Sequence, residues 1–149
     1  MRTIRQDMIE ALGRGLRAAG PEKDKMLSFL GSLQNPDGGF RGRSMASDLY
    51  YSVFATEPLL TAGQGCDQSA LAGYLKTIDT SRLDFIHLCC LIRLMGNLTL
   101  LDEATTALLK ERLDRFRCEE GFFHHVEPAA RGWGYGGFMA MGADRKRVV

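Results

Sequence analysis

The sequence carries almost no net charge: 19 Lys and Arg against 18 Asp and Glu leave +1 over 149 residues. It also lacks any basic stripe interleaved with aromatics, the electrostatic footprint of a nucleic-acid binder, so no nucleic-acid partner is expected. Long apolar runs are missing. The longest, Phe85 to Leu94, is interrupted by His87 and Arg93 and falls short of the roughly 20 residues that span a bilayer, so no transmembrane segment is expected. The N-terminus, Met1-Arg-Thr-Ile-Arg-Gln-Asp, breaks into charge where a secretory h-region needs an unbroken apolar stretch. Cys66, Cys89, Cys90 and Cys118 form no C-x-x-C pair, which argues against a disulfide framework or a zinc ribbon and for a reducing, cytoplasmic setting.

What is present is helical periodicity. Ile4, Met8, Leu12 and Leu16 recur every fourth residue after Thr3, so a first amphipathic helix is expected to end near Gly20. Pro21 suits the first turn of a second helix, with Met26, Leu27, Leu30 and Leu33 on one side. That helix stops before Asn35-Pro-Asp-Gly-Gly39, a turn sequence that admits positive φ. Ser47-Asp48 then caps a third segment of a different kind. Leu49, Tyr50, Tyr51, Val53, Phe54, Ala55, Leu59 and Leu60 cover nearly its whole circumference, and a helix apolar all round is expected to be buried. Pro58 predicts a kink.

The alternation continues. Residues 69–78 are one-sided, 84–95 are apolar almost all round, and 102–116 are one-sided again. Glu119-Glu-Gly-Phe-Phe123 is a second turn of the Gly-Gly-Phe40 type, and a glycine-rich third copy starts near Arg131. The spacing of the fully apolar segments, at Asp48 and Asp84, lies in the range of helix-pair arrays. Periodicity alone leaves two architectures open: an open solenoid that binds a protein along one face, or a ring of apolar helices around a greasy cavity.

The string Lys25-x-x-x-Phe29-Leu-x-x-Leu-Gln34-x-x-x-Gly38-x-Phe40 resembles the glutamine and aromatic repeat of the terpenoid-cyclase and protein-prenyltransferase β-subunit superfamily, also called the prenyltransferase and squalene-oxidase repeat. The resemblance covers roughly residues 22–126. It implies an all-α fold, an α/α toroid of helix-pair repeats in which about three pairs make a partial ring. Residues 1–123 read as the toroid repeats, and 124–149 as a degraded repeat or an irregular C-terminal tail. Tyr50, Tyr51, Phe54 and Phe85 are then the expected lining of a substrate cavity for an isoprenoid or similar apolar chain, where each buried methylene is worth roughly 0.8 kcal/mol.

In the prenyltransferases of this superfamily, zinc binds an Asp-x-Cys pair and a His in an Asp-x-x-His context, and activates an acceptor thiol. The resemblance puts Asp48 and His87 at two of these ligand positions, with Tyr50 where the Cys should be. Cys89 and Cys90 lie one turn further along. The same two residues also read as an N-cap and a core histidine. No Asp-x-Asp-Asp string exists for cyclase chemistry, Arg41 and Arg43 in the loop after Phe40 read either as part of a basic diphosphate rim or, more commonly, as a basic loop that only confers solubility, and His124 and His125 read as surface residues.

The function this implies is a prenyltransferase-like toroid domain that binds an apolar chain, a truncated or catalytically incomplete transferase. The alternative is a helical-repeat protein-interaction module without a small-molecule site. About three helix pairs cannot close a ring, so either a homodimer or a missing remainder of the ring would have to complete it.

Overall fold

The computed structural model describes residues 4–126 and 131–143. Among them the chain is all-α, with seven α-helices, one 3-10 turn and isolated β-bridges only. It divides into two compact units, Met1–Thr77 and Ile78–Val149. The division falls inside the span read as one set of repeats, and the glycine-rich segment belongs with the second unit.

In unit 1, α1 (Ile4–Ala18) and α2 (Glu22–Gly31) both pack on α3 (Leu49–Ala62), and α4 (Gln68–Lys76) follows. Pro21 stands at the N-cap of α2 without a capping bond, and Glu22 and Asp24 put negative charge in its first turn, where the helix dipole favours it. Asp48 caps α3, its carboxylate accepting the Tyr50 and Tyr51 amides at 2.8 and 3.1 Å, and Gly63 ends the helix at φ 72°. The helix runs through Pro58 without being divided. Leu16, Leu27, Phe40, Ala55 and Leu59 form the core.

The expectation that α3 is buried all round needs correction. Leu49, Ser52, Val53, Ala55, Thr56 and Leu59 are buried, but Tyr51 is 41% and Phe54 49% exposed. Composition overstated the burial because a helix hides only the side on which neighbours actually pack.

In unit 2, a 3-10 turn (Thr80–Arg82) leads to α5 (Phe85–Asn97), which packs on both α6 (Glu103–Asp114) and α7 (Gly134–Ala143). Asp84 caps α5 through the His87 amide at 2.8 Å, and Asp102 caps α6 through the Thr105 amide at 2.7 Å. Here the all-round apolar pattern does mean burial: Phe85, Leu88, Cys89, Cys90, Leu91 and Leu94 are all inside.

Within the segment read as a degraded repeat or an irregular tail, residues 134–143 form a helix despite four glycines. Gly136 is needed because a Cβ there would stand 2.9 Å from the Phe123 carbonyl oxygen and 3.3 Å from Trp133 Cε3. Nothing described lies within 4 Å of a Cβ at Gly137. Gly137→Ala is therefore expected to stabilise the chain by about 0.5–1 kcal/mol through reduced unfolded-state entropy. Gly136→Ala should destabilise it by about 1–3 kcal/mol through overpacking. Urea denaturation followed by circular dichroism would detect the opposite signs; the same sign for both would refute this packing of α7.

Candidate functional site

Each unit contains one copy of the same helix-turn-helix, matched bond for bond in its backbone. In unit 1 the turn after α2 is closed by Asn35 N–H to the Gly39 carbonyl at 2.8 Å and Gly38 N–H to the Asn35 carbonyl at 2.9 Å. In unit 2 the turn after α6 is closed by Cys118 N–H to the Phe122 carbonyl at 2.8 Å and Gly121 N–H to the Cys118 carbonyl at 2.9 Å. Arg41 N–H to Leu33 and His124 N–H to Phe116 match, as do Asp48 N–H to Phe40 and Trp133 N–H to Phe123. Gly38 and Gly121 both hold positive φ, 95° and 84°, which explains a glycine at that step of both turns. The side chain opening the turn also matches: Gln34 Nε2 donates to the Gly38 carbonyl at 3.0 Å, and Arg117 Nη1 donates to the Gly121 carbonyl at 2.8 Å.

The two copies differ in what covers them. In unit 1 the N-terminal end of α4 sits on the turn. Gln34 clasps the α4 cap residue at both ends of its amide, donating to the Asp67 carbonyl at 2.9 Å and accepting the Asp67 amide at 2.9 Å. A Cβ at Gly38 would collide with the Ala70 carbonyl. In unit 2 nothing described lies within 4 Å of a Cβ at Gly121. The backbone match pairs Val53 with Phe138 and Thr56 with Met141. Val53 and Thr56 are fully buried, whereas Phe138 is 42% and Met141 46% exposed.

The result is an open groove of about 1000 Å³ in unit 2, walled by Leu109 and Leu113 of α6, Phe122 of the turn, and Trp133, Phe138 and Met141. Phe122 is 63% exposed. Lys110, Asp114, Arg117 and Glu120 add charge of both signs to the lining. Arg117 is held in place by Asp114, with Nη2 to Oδ1 at 3.0 Å, and by the Phe123 ring, whose centroid lies 4.6 Å from its guanidinium carbon. No protein-family model, no curated protein and no solved structure matches this chain. The groove and the repeat around it are therefore read on their own geometry.

The residues expected from the sequence to line a cavity do not line this groove. Tyr50, Tyr51 and Phe54 form an aromatic cluster on α3, with ring centroids 5.8 Å apart for the tyrosines and 4.8 Å for Tyr50 and Phe54. Phe85 is fully buried in unit 2, 5.4 Å from the Phe116 ring and 5.9 Å from that of Phe123. The groove residues carried one signal in the sequence, the second Gly-Phe turn at residues 121–123, but nothing in the spacing told that its cover was missing.

Asp48 and His87, the expected zinc ligands, both take part in capping. Asp48 holds the start of α3. The His87 ring nitrogen Nδ1 lies 2.9 Å from the Asp84 carboxylate, which also accepts the His87 amide. Among the described residues no group of three or more His, Cys, Asp and Glu side chains is gathered as a metal ion requires. Burial pushes the Cys89 thiol up, the neighbouring Cys90 adding to it, so the thiolate that a sulfur ligand to a metal requires is disfavoured there. Burial likewise raises Cys66, with help from Asp67, to about 11. His124 is half-buried and stacks on the exposed His125 with centroids 4.4 Å apart. No helix among the described residues is long and apolar enough to cross a membrane.

Partial burial acts to raise the Asp84 carboxyl, but the hydrogen bonds from the His87 amide and ring, together with the charge of that ring when protonated, outweigh it and hold the carboxyl below its ordinary range. A depressed carboxylate stabilises the fold above its unfolded pKa of about 4 and loses that contribution as pH falls through the lower folded value. Urea midpoints measured from neutral pH downward should therefore fall in acid. Asp84→Asn should flatten part of that fall, and an unchanged acid limb would show that the cap carries no such linkage.

Proposed function

We propose that this chain is a helical-repeat interaction module, and that the groove between α6, the turn at residues 117–123 and α7 receives a partner helix. The observation that carries this reading is internal to the chain: the place taken by the end of α4 on the turn of unit 1 has no described occupant on the matching turn of unit 2. Exposed aromatic and methionine side chains around an apolar groove are what an amphipathic helix covers when it docks. The test is hydrogen exchange of the chain with a stapled helical peptide copied from residues 66–77 and carrying Tyr74→Ala. Protection at residues 106–123 and 132–143 supports the reading. Protection confined to other residues, or none, would exclude it.

A second reading has its own support in the size and lining of the same groove, which fall within the usual range for small apolar ligands. With the resemblance of the Gln34 to Phe40 repeat to the prenyltransferase superfamily, it makes the occupant an isoprenoid chain held by a toroid-type domain. Saturable binding of a fluorescent prenyl diphosphate that is lost in Phe138→Glu would favour it over the first. No binding at micromolar probe would remove it.

A further inference from the structure

The chemistry of a helix partner can be read from how the two turns differ. Gln34 uses both halves of its amide on the α4 cap, one as donor and one as acceptor. Arg117 takes the same seat in unit 2, with the same bond to the turn carbonyl, but a guanidinium only donates. It can meet the carbonyl of an arriving cap residue and cannot accept its amide. It also sets a positive charge against the positive end of a helix dipole, a repulsion that a carboxylate at the cap reverses. The Phe123 ring beneath the guanidinium and the Asp114 carboxylate beside it fix the fork in orientation.

A second difference lies one residue before the buried phenylalanine of the turn. In unit 1 that residue is Gly39, and a Cβ there would stand 2.5 Å from Ser47 Cβ and 2.9 Å from Tyr74 Cε1 of α4. The glycine makes room both for Ser47 and for an aromatic ring brought by the covering helix. In unit 2 the matching residue is Phe122, which takes the room left by Gly132 at the Ser47 position and supplies a ring from the turn itself. A covering helix with its own large side chain at that register would meet Phe122.

Resting on the reading of the groove as a helix site, we infer that its partner is an amphipathic helix of another polypeptide, entering N-terminus first over Arg117, with an acidic cap residue and a small residue about two turns further on. Charge complementarity sets the first requirement and the shape of the turn sets the second. The chain's own α4 segment meets the first and fails the second.

Three stapled peptides copied from residues 66–77 test this by fluorescence anisotropy against the full chain. One carries Tyr74→Ala, the second Tyr74→Ala with Asp67→Asn, and the third keeps both Asp67 and Tyr74. The first should bind at least about tenfold more tightly than either of the others. Arg117→Gln, which can keep the bond to the Gly121 carbonyl, should remove the difference between Asp and Asn caps while circular dichroism stays unchanged. Equal binding of all three peptides would overturn the stated partner chemistry but leave the groove reading standing. Failure of all three overturns both, and a prenyl probe that binds in their place identifies the apolar-chain reading as the correct one. A discrete dimer by light scattering that blocks peptide binding would replace the foreign helix by a second copy of this chain.

Discussion

Phe85→Ala is expected to cost about 3–5 kcal/mol, while Phe54→Ala costs about 1–2 kcal/mol. Both residues stand on strongly apolar helices, and by sequence they are equivalent candidates for a ligand cavity. Phe85, however, is fully buried and touches the rings of Phe116 and Phe123. Its truncation loses the transfer energy of a whole ring and leaves a void that the turn and α6 cannot fill. Phe54 keeps half of its surface exposed, so removing it loses only part of a ring's burial and opens no closed cavity. Urea denaturation of the two variants gives both numbers, and a similar cost at the two sites would contradict the burial pattern.

Gly38→Ala is expected to cost about 2–4 kcal/mol, and Gly121→Ala only about 1–2 kcal/mol. The two glycines hold nearly the same left-handed φ, so an alanine pays the same backbone strain of about 1–2 kcal/mol at either site. The difference is the neighbour. At Gly38 the new methyl runs into the Ala70 carbonyl, a backbone atom of α4 that cannot swing aside, and seating it requires α4 to shift against Gln34. At Gly121 the described surroundings are open. The pair is therefore a stability measurement of an open site, made without any ligand. Equal costs would mean that the turn of unit 2 is covered in solution, and the groove reading would fail with it.

Much of the local structure was legible in the residues. Asp48, Asp84 and Asp102 mark the starts of α3, α5 and α6 because a carboxylate at that position satisfies amides the helix itself leaves unpaired. The similarity of the turns at residues 38–40 and 121–123 was visible because positive φ demands glycine and the following aromatic is drawn inward. Gly134–Ala143 was harder to recognise as a helix. Glycine is a poor helix former, and its value at Gly136 lies in a close approach to Phe123 that no one-dimensional pattern records.

The sequence alone thus determined that this protein is built from capped helices of alternating apolar character, joined at two points by the same kind of turn. These properties follow from nearest neighbours along the chain, through hydrogen bonding at helix ends and the steric demands of φ. Which aromatic side chains are core and which face outward, and that one turn is covered while its counterpart lies open beside a groove, were settled only by packing in three dimensions. An apolar residue states that burial is favourable. It does not name the neighbour that provides it, and for Phe85 that neighbour is within the chain, whereas for Phe138 and Met141 nothing described completes the cover.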